Sequence, residues 1–470
     1  MLFNSFQFAL FFVPVLVLYC LADHKWQNRL LLVAGYVFYG AWDWRFLGLL
    51  MLSTCLDFGI GRQIGQAEGS KRRAWILASI GVNLSILGFF KYFNFFAQGF
   101  ADLAALFGLH VSPFALHVVL PVGISFYTFQ ALSYTINVYR RRMPPASSLL
   151  DFALYVSFFP QLVAGPIEKS HNLLPQMQNP RTVTIEGVYE GSYLVFWGLC
   201  KKVFVADNIA VIVDAIFRGK GSHTGFEYLI GAYAFTWQIY TDFSGYSDIA
   251  KGLARMMGFT LMVNFDTPFF ARNLIDFWHR WHISLSTWFR DYVFIPLGGS
   301  RVSRSRRALN LMIVFLVSGL WHGAASKFVL WGGVHGLAQV ALSLHGNLID
   351  RALSWIPQSL RRTVGIVLTF HFVAFAFVLW QTDGLLQWLG VMRSIFADFR
   401  FTGAAAGQLG KLAAFVALPF GYELLQQRGR DIWMPLRWSV PRRALLYAIL
   451  LFCLVRFGAF EGEQFIYFQF

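Results

Sequence analysis

Long apolar runs alternate along this chain with short clusters of basic residues. A bilayer core takes about 20 apolar residues as a helix. Runs approaching that length recur at 6–22, 30–39, 46–60, 74–90, 118–139, 152–167, 189–206, 228–243, 308–320, 328–344, 363–379, 411–424 and 444–457. The pattern predicts an all-α, polytopic membrane protein with about eleven membrane helices, the shortest runs being re-entrant. The run at 152–167 carries Pro160 and the Gly165-Pro166 pair, which free backbone groups that neighbouring helices or a cavity must satisfy.

Basic residues punctuate the runs: Lys25 with Arg29, Lys71-Arg72-Arg73, Arg140-Arg141-Arg142, and Arg301 with Arg304, Arg306 and Arg307. Short basic loops stay in the cytoplasm. With Met1 outside, successive crossings place Lys25, residues 71–73 and residues 140–142 all inside, so these three clusters agree on one orientation.

Composition agrees with the pattern. Of 470 residues 57% are hydrophobic and only 13% charged, about half the charged fraction of soluble domains. The net charge of +15 lies in loops rather than on one continuous face, which excludes a soluble nucleic-acid binder. Cys20, Cys55, Cys200 and Cys453 sit inside apolar runs without paired spacing, so they form neither a disulfide framework nor a zinc knuckle. No basic residue precedes the first apolar run and no small-x-small site follows Cys20. That segment is expected to be retained rather than cleaved as a signal peptide. Neither a repeat of roughly 20–50 residues nor mirrored halves are present, which weighs against a carrier.

Candidate chemistry concentrates within 241–336, in what reads as a single membrane domain over 1–470. The run Asp276-Phe277-Trp278-His279-Arg280-Trp281-His282-Ile283-Ser284-Leu285-Ser286 would, if helical, stack His279 over His282. An interfacial amphipathic helix explains part of it, with Trp278, Trp281 and Trp288 at headgroup depth and Arg280 and Arg290 on the wet side. His282 fits that role less well. His322 lies in Ser318-Gly319-Leu320-Trp321-His322-Gly323-Ala324, at the end of an apolar run that begins at Ala308. Ionisable groups at membrane depth cost a few kcal/mol and usually line a pathway or site. A neutral histidine there offers one donor and one acceptor nitrogen, the state a general base requires; packing against another helix is the competing explanation. Gly319 and Gly323 would let a substrate or a helix approach closely. His335 and His371 read as packing histidines, and His24, His110, His117, His171, His223 and His345 as loop residues. His279, His282, His322 and His335 could supply nitrogen ligands, but no HExxH occurs and no carboxylate has ligand spacing, so no catalytic metal is expected.

Taken together, Asp242-Phe243-Ser244-Gly245-Tyr246-Ser247-Asp248, the Phe277 to Ser286 run, Leu297-Gly298-Gly299-Ser300-Arg301 and Trp321-His322-Gly323 resemble the membrane-bound O-acyltransferase family, in particular its alginate-type polysaccharide O-acetyltransferases. Phe158-Phe159-Pro160-Gln161, Ala164-Gly165-Pro166 and the terminal Phe465-Ile466-Tyr467-Phe468-Gln469-Phe470 extend the resemblance over most of the chain. It implies a many-helix fold around a central cavity or funnel. It also implies that His322, in the Trp-His-Gly position, is catalytic, with His282 at the family's second position upstream. The D-alanyl transfer branch shares the Trp-His elements, so D-alanyl and peptidoglycan O-acyl transfer stand as alternatives.

The reaction so implied takes acetyl from acetyl-CoA or another cytoplasmic acetyl thioester and delivers it across the bacterial inner membrane to an exported polysaccharide of alginate or cellulose type. The resemblance also implies periplasmic acetyltransferase partner proteins. His322 would be the general base, and His282 would orient the acyl group or donate to the developing oxyanion. A transporter would instead need paired broken helices in both halves, and a secretion-complex scaffold would tolerate replacement of His322.

Overall fold

A computed structural model describes every residue except 110, 113–114, 117–118, 163–164, 220, 430, 461–464 and 467–470, with backbone alone at 347, 349–350 and 428–429. His110, His117, Ala164 and the last four residues of the terminal motif therefore lie outside the described residues. Every regular element among the described residues is helical. Local chemistry sets many helix starts. Ser5 accepts from Phe8 N–H, Asp23 from Trp26 N–H and Ser303 from Arg306 N–H, satisfying amides that the first helical turn leaves open.

The chain divides into two compact units, Met1–Ser192 with Ala250–Met262, and Tyr193–Ile249 with Val263–Phe470. In the first, Phe6–Leu21 matches its apolar run to within a residue, whereas His24–Asp43, with 20 residues, is twice the length of the run at 30–39, and Arg45–Gln66, with 22 residues, extends past both ends of the run at 46–60. The run at 74–90 is part of a longer rod: Gly69–Leu87 passes through a π-helical turn at Gly88–Tyr92 into Phe93–Leu106. As anticipated from Pro160 and Gly165-Pro166, the run at 152–167 is broken, into Leu149–Ser157 and the single turn Phe159–Leu162. A polar knot is buried among Arg45–Gln66, Gly69–Leu87 and Ile124–Tyr139. There Asp57 accepts from Ser79 Oγ at 3.0 Å and from Asn83 Nδ2 at 2.9 Å, and Ser79 Oγ lies 2.9 Å from Thr135 Oγ1.

Ile185–Leu199, which begins in the first unit and ends in the second, continues through π-helical Cys200–Ala206 into Asp207–Phe217, a helix that the sequence pattern did not reveal. Gly225–Met256 is a single helix of 32 residues. Arg304–His322 and Ser326–Ala352 pack closely because both present glycine: a Cβ on Gly319 would collide with the Phe328 carbonyl, and one on Gly332 with the Phe315 carbonyl. Gln358–Gln381 lies against Ser326–Ala352. By length and composition three helical segments qualify as spans on their own, Gly69–Leu106, Gln358–Gln381 and Gly403–Gln427, with Phe6–Leu21 and Leu385–Ala397 apolar but shorter. The others are shorter or carry more charge, as expected of helices that bury polar groups inside a bundle.

Candidate active site

His322 is the last residue of Arg304–His322. The chain leaves the helix at Gly323, where a Cβ would overlap the Phe328 ring. That turn holds the His322 side chain inside the second unit at 3% exposure. Indole rings surround it: the ring centroids of Trp321, Trp331 and Trp380 stand 5.1, 5.2 and 5.1 Å away. Trp380 comes from the end of Gln358–Gln381, and Trp331 from Ser326–Ala352. The glycine-lined helix crossing brings Trp331 onto the imidazole.

His282 does not stack under His279. The amphipathic pattern suggested one helix, but Leu274–Arg280 ends at an extended Trp281, and His282 itself is left-handed (φ 44°, ψ 53°) before Ile283–Phe289 begins. Only a few per cent of non-glycine residues adopt a positive φ, and they cluster where surroundings fix an unusual conformation for function. Here the fixing residue is Asn264. Its carbonyl accepts from Ile283 N–H at 2.9 Å, and its side-chain Oδ1 receives Ser284 Oγ at 2.9 Å and Ser284 N–H at 3.3 Å. Asn264 Nδ2 in turn donates to Ser247 Oγ at 3.1 Å. His282 Nδ1 lies 3.3 Å from Asn264 Oδ1 and 3.4 Å from Ser284 Oγ, so this nitrogen is held by the same pair that builds the turn. His282 is 1% exposed, with the Phe243 ring 4.6 Å away edge to face, and its centroid is 6.4 Å from that of His322. The Trp321 ring adjoins both, 5.9 Å from His282 and 5.1 Å from His322 between centroids.

The other sequence candidates separate from this pair. Trp281 and Trp288 are buried, not spread at a headgroup surface, because the break at His282 turns them inward. Arg280 pairs with Asp276 at 2.8 Å and Arg290 with Asp291 at 2.7 Å. His335 is buried between Trp331 and Trp278, and His371 Nε2 lies 2.6 Å from Tyr233 Oη, as suits packing histidines. His279 is exposed and lines a cavity of about 360 Å³ together with Trp278, Arg290, Arg307, Ser318 and Gln339. The cavity reaches Ile283, next to His282, and Ser318, one turn before His322. Among the described residues no three His, Cys, Asp or Glu side chains gather as metal ligands. Asn264 was missed from the sequence, where it is a lone asparagine before Phe265-Asp266 with no spacing rule that ties it to residue 282.

The second unit thus buries two imidazoles whose ring planes are inclined at 61° to one another, inside a polytopic helical protein. Residues 143–379 match the model of the membrane-bound O-acyltransferase family, MBOAT, and the chain belongs to that family. It is therefore a multi-pass membrane O-acyltransferase. It is 38% identical to the probable alginate O-acetylase AlgI of Pseudomonas putida, with all of both chains covered. It is 34% identical to the peptidoglycan O-acetyltransferase of Helicobacter pylori over 84% of this chain and 80% of that one. Identity to the teichoic acid D-alanyltransferase of Bacillus subtilis is 28%, over 66% of this chain and 84% of that one.

Proposed function

We propose that this chain, acting as one integral membrane domain over 1–470, transfers acetyl from a cytoplasmic thioester for O-acetylation of an exported polysaccharide of alginate type at the bacterial inner membrane. The observation that carries the reading is the pairing of His322 with His282, which are forty residues apart in the sequence and 6.4 Å apart between ring centroids. Full-length similarity to an alginate O-acetylase supports the acetyl group and the acceptor class. The alternatives, D-alanyl or peptidoglycan O-acyl transfer, have their support in more distant relatives.

Neutral His322 takes the proton of an acceptor hydroxyl as that oxygen bonds to the thioester carbonyl carbon. The C–S bond then breaks, and His322 returns the proton to the departing sulfur, giving ester and thiol. General-base assistance of this kind contributes about 10²–10⁴-fold. His282, whose Nδ1 is held beside Asn264 and Ser284, orients the acyl group or donates to the developing oxyanion. The cavity beside the pair has an apolar wall for a thioester arm, and Arg290, Arg307 and His279 suit a phosphate on acetyl-CoA or a carrier. Delivery to the polymer through periplasmic partner proteins completes the reading.

The test is purified protein in proteoliposomes given a thioester with labelled acetyl, and acceptor on the opposite side. Labelled ester on the alginate-type polymer or on a periplasmic partner is expected, and is expected to vanish in His322→Ala. Label moving only when the thioester carries D-alanyl, or only onto peptidoglycan, would replace the proposed acceptor.

A further inference from the structure

Three anionic or cationic side chains meet in the interior of the second unit without taking part in the chemistry above. Lys202, in π-helical Cys200–Ala206, places its Nζ 2.7 Å from Asp207 Oδ1 and 3.0 Å from Asp242 Oδ1, all three side chains at 2–3% exposure. One ammonium between two carboxylates leaves an excess negative charge, and a buried carboxylate oxygen needs a donor. The chain's own carboxyl-terminal stretch supplies one: Ile466 N–H donates to Asp242 Oδ2 at 2.8 Å. Phe465 and Ile466 are 0% and 2% exposed, so this stretch is part of the core.

The docking has direction. After Val440–Phe457 the chain is tied to the Lys202 segment by Ala459 N–H donating to the Val203 carbonyl at 3.1 Å, and by Asn208 Nδ2 donating to the Phe457 carbonyl at 2.8 Å. Beyond, the Phe465 ring lies 4.5 Å from Tyr246 and 5.6 Å from Phe243. Phe243 presses edge to face on the His282 imidazole. Asp242, Phe243 and Tyr246 share Gly225–Met256, so one helix carries both the anchor for Ile466 and the ring that meets His282.

We infer that Phe465 and Ile466 position the active site: anchored on Asp242, they seat Phe243 against His282 and so fix the imidazole relative to His322. The inference rests on the role proposed above for His282. In close-packed interiors a ring removed on one side lets its neighbour relax, and displacement of an orienting group by about 1 Å costs up to 10²-fold in rate.

A double-mutant cycle tests it, with kcat, KM and thermal midpoint read on purified protein. Phe465→Ala is expected to lower kcat roughly tenfold with KM little changed, and to have less than about a twofold effect when added to His282→Ala, because the path it acts through is gone. Where Phe465→Ala yields no folded protein, Phe465→Leu, which keeps apolar volume and loses the ring, is read through the same cycle. An equal proportional loss on both backgrounds, or no loss of kcat in the single variant, overturns the inference and leaves the histidine pair standing. Full activity in His282→Ala overturns both the role of His282 and the positioning built on it.

Discussion

The two units bury polar groups in opposite ways. In the first, the knot around Asp57 closes on itself, with Ser79, Asn83 and Thr135 hydrogen-bonding the carboxylate or one another. In the second, His322 is boxed by three indoles, and His282 has Asn264 on one ring nitrogen and a phenyl ring against its face. Groups satisfied by one another hold helices together. Imidazoles set among aromatic rings, their centroids 6.4 Å apart, are the pair to which the proposed chemistry is assigned. Burial at membrane depth is therefore not enough to mark a reactive group; what surrounds it decides.

The comparison predicts unequal consequences for mutation. The largest effect on folding is expected from Lys202→Ala, which removes the ammonium shared by two buried carboxylates in the second unit. A loss of about 3–5 kcal/mol is expected, visible as little folded protein after purification. Such a loss would show that this unit, too, contains a polar cluster on which its fold depends.

Next comes Asn264→Ala, which keeps the backbone carbonyl that holds Ile283 but removes the side-chain oxygen that contacts His282 Nδ1 and accepts from Ser284. A fall in kcat of roughly tenfold is expected with KM nearly unchanged, measured by acetyl release from the thioester. A change confined to the melting temperature would make Asn264 a turn residue only. Asp57→Asn is the mildest: it turns one acceptor of Asn83 into a donor, and should cost about 1–3 kcal/mol while specific activity per folded molecule is kept. Lost specific activity there would erase the contrast between the units.

Much of this was legible in the sequence. His322 stood out because a histidine ending an apolar run, between Gly319 and Gly323, is costly unless it is used. The broken segment at Pro160 followed from backbone chemistry. The break at His282 did not, since Phe277 to Ser286 carries a helical pattern and only the tertiary hydrogen bonds from residue 264 override it. Phe93–Leu106 was lost because Lys91, Asn94 and Gln98 interrupt its apolar run. The docking of Phe465 and Ile466 on Asp242 was beyond reach for another reason: the partners are 224 positions apart in the chain.

The most direct test of the claim that the histidine pair does the chemistry is the kcat of His322→Ala measured beside its thermal midpoint in the same proteoliposomes. The account predicts a fall of about 10²-fold or more with the midpoint unchanged. Near-normal kcat with a lowered midpoint would mean that His322 is packing, like the Asp57 knot, and would contradict it.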